Sequence, residues 1–206
     1  MTLVSLIAAA LLATIAWLAL GVWRIGAVSR GQNIGARDGV ALLLIDLQAV
    51  FWSDAHYSND NRSRAQAAIL AEIESAKTAG FPVIALRQEW SHPSTKAVAR
   101  LTMQGTAIAG TPGTELAEPF ATLADRVVVK RVQDAFETGE LDALLGDLDV
   151  GHLRLVGLDL NYCVLKTALA ARNRGYEVAI TIGGTLASGP AKATLAKLKA
   201  ASVTIA

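Results

Sequence analysis

Three residues with useful chemistry stand where apolar runs end. Cys163 is the only cysteine in the chain and sits in "LVGLDLNYCVLKTALAARNRGYEV" (155–178), where a strand pattern gives way to an alanine-rich helix. A free cysteine can be packing material, because it behaves as a small hydrophobe. It can also be a nucleophile, because a helix N-terminus or a nearby cation favours the thiolate. Asp46 closes "VALLLIDL" (40–47) and Lys130 lies in "RVVVKRV" (126–132). Alone, Asp46 reads as a cap on a neighbouring loop and Lys130 as a snorkelling surface residue. Ionisable groups set in hydrophobic sequence are costly unless paired, and an acid, an ammonium and a thiol at neighbouring strand ends satisfy one another. Together they make a nucleophile, its base and its electrostatic support, which favours catalysis over packing.

The elements that must position them are buried strands alternating with helices. The runs 40–47, 82–88, 126–132 and 152–158 are continuously apolar, as strands covered on both faces should be, and 177–183 and 202–206 add two more. Helical patterns fill 63–79, 162–174 and 190–200, the last opened by Pro190. The expected fold is a three-layer α/β/α sandwich around a mainly parallel sheet of about six strands. In such sheets ligands bind beyond the carboxyl ends of the strands, where these three residues fall.

Of 206 residues, 52% are hydrophobic and 18% charged, and the apolar excess is concentrated at the N-terminus. Residues 3–23 carry no charge and are long enough to cross a bilayer core of about 30 Å. A cleaved signal peptide fits less well, because no basic residue precedes Leu3 and Ala27-Val28-Ser29 is a poor cleavage site. Arg24, Arg30 and Arg37 follow the run, which places the rest of the chain in the cytoplasm by the positive-inside rule. The expected organisation is an anchor over 1–23, a juxtamembrane linker over 24–38 and one domain over 39–206. A net charge of +1 without a basic stripe gives no reason to expect a nucleic-acid partner.

Three segments also match a known pattern. "LLLIDLQAVF" carries Asp46, Gln48 and Phe51, "VVKRVQDAFETGEL" carries Lys130, Ala135 and Phe136, and the Cys163 segment carries Gly157, Asn161, Thr167, Ala168 and Gly175. Over residues 40–206 the chain resembles the isochorismatase-like cysteine hydrolases, which include nicotinamidases, N-carbamoylsarcosine amidohydrolases and ureide hydrolases. The resemblance implies hydrolysis of a small-molecule amide, imide or ureide, with Cys163 attacking to form a thioester. Asp46 would move the protons and Lys130 would hold the charges, depressing the thiol pKa, so that a thiolate near neutral pH is expected. The backbone N–H groups of Asp159 and Cys163 would cradle the oxyanion, and a cis peptide is implied at Leu158–Asp159. The resemblance also implies that the chain could pair into a homo-oligomer.

Nicotinamidases hold a metal with an aspartate and histidines, and the comparable stretch here is "RQEWSHPS". Glu89 stands near the aspartate position, His92 is displaced by one residue, and no second histidine follows at a useful distance. Neither a metal nor another cofactor is expected, since metal sites usually need three or four protein ligands. Residues 89–118 form the longest stretch without a strand pattern and read as a binding loop or lid. Trp90, Met103 and Ile108 within it, and Trp52 after the first strand, are expected to wall the substrate pocket or to pack against another subunit. A vinyl-ether hydrolase, whose chemistry needs no thiol, and a non-enzymatic tethered binding module are the competing functions.

Overall fold

The computed structural model describes residues 2–53 and 56–206, so Met1 of the expected anchor lies outside the described residues. An N-terminal helix α1 (Leu3–Gly26) precedes β1 (Gly39–Ile45), a short α2 (Ala49–Trp52), α3 (Asn59–Thr78) and β2 (Val83–Gln88). Then follow α4 (Pro93–Thr102), β3 (Arg126–Lys130), α5 (Glu140–Asp147) and β4 (Val150–Gly157). A π-helical turn (Leu160–Val164) runs into α6 (Leu165–Asn173), and β5 (Glu177–Thr185), α7 (Lys192–Ala200) and β6 (Thr204–Ile205) complete the chain.

The strands form one parallel sheet in the order β3-β2-β1-β4-β5-β6. Successive β1 residues serve opposite layers, which is why the run is apolar throughout. Ala41, Leu43 and Ile45 pack with α5, α6 and α7, whereas Leu42 and Leu44 pack with Ile69 and Ile73 of α3. The expected three-layer sandwich is therefore present, with the six strands at the positions read from the sequence. The strand order reverses between β1 and β4, and their carboxyl ends open a crevice there.

Two features lay outside the sequence reading. The presumed loop 89–118 contains α4, whose first turn is opened by Pro93, and a bridge pairs Trp90 with Ile108. The helix α1 also runs on to Gly26, and one face of its last turns, at Gly21 and Ile25, is buried against the domain. A Cβ on Gly21 would lie 2.8 Å from the Ser94 carbonyl oxygen and 3.0 Å from Val98, so glycine lets α1 and α4 cross closely. Ile25 is buried in a cluster with Trp90, Val98 and Ile108. The segment after it is strapped to the domain: Gln133 N–H donates to the Ile25 carbonyl (3.1 Å) and Ser29 N–H to Asp134 (2.7 Å). Ile34 N–H donates to the carbonyl of Arg174 (2.9 Å), whose guanidinium is itself held by Asp142 (2.7 Å).

Candidate active site

Asp46 follows the last residue of β1 in the left-handed region (φ 53°), a conformation that Asp tolerates better than most residues. Its N–H still pairs with the Leu86 carbonyl (2.9 Å). Beside it, Gly157 ends β4 at φ 119°, and a Cβ there would come within 2.1 Å of the Ile45 carbonyl oxygen. Only glycine lets the end of β4 lie so close to the end of β1, and Leu158 N–H then donates to the Ile45 carbonyl (3.0 Å). The Leu158–Asp159 peptide that follows is cis, as the resemblance implied.

Cys163 occupies the π-helical turn ahead of α6, in which Val164 N–H reaches the Asp159 carbonyl (3.1 Å). Such turns recur at functional sites. Lys130 ends β3, two strands away from β1, so its side chain must cross the end of β2. Gln88 at the end of β2 bridges that gap by accepting from Lys130 Nζ (2.6 Å). Gln88 is held in turn by Gln48, whose Oε1 accepts the Gln88 N–H (2.6 Å) and whose Nε2 donates to the Thr114 carbonyl (2.8 Å). Lys130 Nζ then stands 3.0 Å from Asp46 Oδ2 and 3.3 Å from Cys163 Sγ. The three residues singled out by type thus meet, buried, at one point. Asp46 Oδ1 has no nitrogen or oxygen donor on it among the described residues.

Burial sets the electrostatics. It pushes the Asp46 carboxyl up, beyond what the Lys130 ammonium pulls it down. Burial works against the Lys130 charge too, but Asp46 and then Cys163 outweigh it, and the lysine stays firmly protonated. Burial and then the Asp46 carboxylate push the Cys163 thiol up against the pull of Lys130. The expectation of a thiolate near neutral pH is therefore corrected. One ammonium balances one negative charge, and a second negative charge in so buried a place is disfavoured. This balance favours the protonated thiol, and a raised carboxyl beside it is a stronger base than an ordinary aspartate.

A pocket of about 310 Å³ opens onto Asp46 and Cys163. Trp90 and Met103 line it as expected, together with Phe51, Tyr57, Leu158 and Tyr162. Trp52 does not: the short α2 turns it toward the α3 layer, edge-on to Phe120 at 4.9 Å. Ile108 packs one layer behind the wall, in the cluster with Ile25. Asp159 lines the pocket, yet its carboxylate is engaged by Tyr57 Oη (3.0 Å), Asn161 N–H (2.6 Å) and Ser188 N–H (2.5 Å). Its charge is spent on closing the turn. Glu89 pairs with Arg87 (2.5 Å) and His92 faces Glu137 (3.5 Å), so the two do not converge on a shared point. Gln88, Gln133, Tyr57 and Tyr162 carried no sequence signal, because polar or aromatic residues at strand ends and in loops are common.

A family model described as the isochorismatase domain matches residues 40–204. Among solved structures, the chain is similar to N-carbamoylsarcosine amidase from Thermoplasma acidophilum, with 20% identity and a TM-score of 0.71 over 82% of this chain and 95% of that one. A nicotinamidase from Bacillus subtilis gives 21% identity and a TM-score of 0.67 over 82% of this chain and 99% of that one. An isochorismatase family protein from Desulfovibrio vulgaris gives 26% and 0.68 over 82% and 94%.

Proposed function

The chain belongs to the isochorismatase family, and from that membership we propose that it hydrolyses a small-molecule amide, imide or ureide C–N bond through a thioester on Cys163. The observation that carries this reading is the placement of Lys130 Nζ within 3.0 Å of Asp46 and 3.3 Å of Cys163, at the floor of an open pocket.

As Sγ attacks the carbonyl carbon, Asp46 takes the thiol proton, so that the charge count of the buried site does not change. Lys130 stabilises the sulfur as it gains negative charge, and the N–H groups of Asp159 and Cys163 receive the carbonyl oxygen as it becomes an oxyanion. The C–N bond breaks as Asp46 returns the proton to the leaving nitrogen, giving amine and thioester. Asp46 then deprotonates a water that attacks the thioester, and the proton returns to the thiolate with release of the acid. A vinyl-ether hydrolase and a non-enzymatic module have no use for a thiol so placed, which favours the amidohydrolase.

In this reading α1 is a single-pass anchor that leaves the domain in the cytoplasm. Support comes from its length, its apolar and exposed surface from Leu3 to Leu20, and the arginines that follow. Release of ammonia from a panel of amides, carbamoyl compounds and ureides tests the reaction. Turnover is expected for at least one class and should vanish in Cys163→Ala. A Cys163→Ala protein working at the parental rate would sink the assignment.

A further inference from the structure

The pocket and the N-terminal helix share a wall. The cluster that buries Ile25 includes Trp90, and Phe51 and Met103 pack against it; these last three line the pocket. Leu18, two turns earlier on α1, touches the same cluster. Gln133 joins the two regions from the other side, lining the pocket while its N–H holds the Ile25 carbonyl. The last turns of α1 are therefore one side chain away from the substrate.

That fixes the height of the pocket above a bilayer. The exposed apolar surface of α1 runs to Trp23, and Trp23 to Ile25 is about 3 Å along a helix. The headgroup layer on each side of a bilayer is about 5–8 Å thick. Trp90 and Met103 thus stand at the level of the headgroups. Leu101, two residues before Met103 near the end of α4, is 71% exposed, and Tyr162 at the pocket is 51% exposed. The pocket itself offers little to a charged ligand. Its exposed lining is mainly apolar, and His56 is the one basic side chain on it among the described residues. Asp46 is paired with Lys130 through Oδ2, and the Asp159 carboxylate is closed off by Tyr57, Asn161 and Ser188.

We propose that the substrate is a neutral amide with an apolar tail that dissolves in the bilayer, and that it reaches Cys163 from the membrane between α1, α4 and Tyr162. This inference rests on the reading of α1 as an anchor and of the site as a hydrolase. A tail extending along the Leu101 side would remain in lipid while the amide enters the pocket, so a cavity of about 310 Å³ need hold only the reacting end. Each methylene kept in apolar surroundings adds to retention at the membrane.

The single cysteine allows a test that does not depend on turnover. The full chain is placed in phosphatidylcholine vesicles or in amphipol and treated with N-methylmaleimide or N-decylmaleimide at the same total concentration, and labelling is followed by mass. Vesicles remove the decyl reagent from water. Entry from the bilayer therefore predicts that vesicles speed decyl labelling of Cys163 by about ten-fold, leaving methyl labelling unchanged. A Cys163→Ser chain carrying Lys77→Cys, on an exposed position at the far end of α3, should show the opposite response to the decyl reagent. Slower decyl labelling of Cys163 in vesicles, parallel to that control, overturns the inference. A panel of amides, carbamoyl compounds and ureides that yields neither ammonia nor amine while the vesicle effect holds would refute the hydrolase reading and leave the route intact.

Discussion

The proton on Cys163 decides how the site is to be probed. Because burial and Asp46 hold the thiol up, iodoacetamide should label it slowly at neutral pH. The rate should still be climbing above pH 9, where an ordinary thiol of pKa about 8.5 is approaching its plateau. A plateau near that ordinary value would show that Lys130 dominates instead. Removing Lys130 has a different signature. Lys130→Ala leaves Asp46 without its counter-charge in a dry site, and loss of one partner of a buried pair costs about 3–5 kcal/mol. Urea denaturation should register it, and Asp46→Asn, which leaves the buried Lys130 ammonium without its counter-charge, should cost a similar amount and abolish turnover as well. The Asp46, Lys130 and Cys163 cluster was legible in the sequence because each member interrupts an apolar run. Gln88 was not, since nothing in "RQEW" says that its side chain spans the gap between β3 and the crevice. Trp52 was misjudged for a related reason: sequence places an aromatic near the strand end but not the layer to which a four-residue helix turns it.

At the scale of elements, the crevice depends on how closely β1 and β4 end together. Gly157→Ala would put a methyl group into the Ile45 carbonyl at a backbone angle that side chains avoid. A loss of about 2–3 kcal/mol is expected, with activity falling further than stability because Asp159 and Cys163 follow directly. A denaturant midpoint and a rate for the same variant check both parts; an unchanged midpoint would mean that the two strand ends can part freely. The strands themselves were legible because burial on both faces demands unbroken apolar runs. The helix α4 was hidden, since its apolar residues are few and short and its burial is against α1, far away in sequence. Local pattern cannot report a surface created by a distant partner.

For the whole molecule, the apolar helix α1 is legible from composition, but its attachment to the domain is not. Ser29, Ile34 and Arg174 meet across some 140 residues of chain, and no local signal foretells such a contact. On the proposed topology, a reporter active only in an oxidising compartment, fused to the C-terminus, should give no signal; strong activity there would place the domain on the other side. The strapped junction has one more consequence. With Ile25 held by Gln133 and Ser29 by Asp134, α1 and the domain turn as a single body rather than about a loose joint. A helix that spans about 36 Å must lean when the hydrocarbon slab is thin. On the proposed topology, any lean would be passed to Gln133 and to the mouth of the pocket, and the proposed hydrolase would double as a gauge of lipid length. On that topology, turnover in vesicles of short-chain and long-chain phosphatidylcholine should differ by several-fold, and equal turnover would show that α1 and the domain tilt independently.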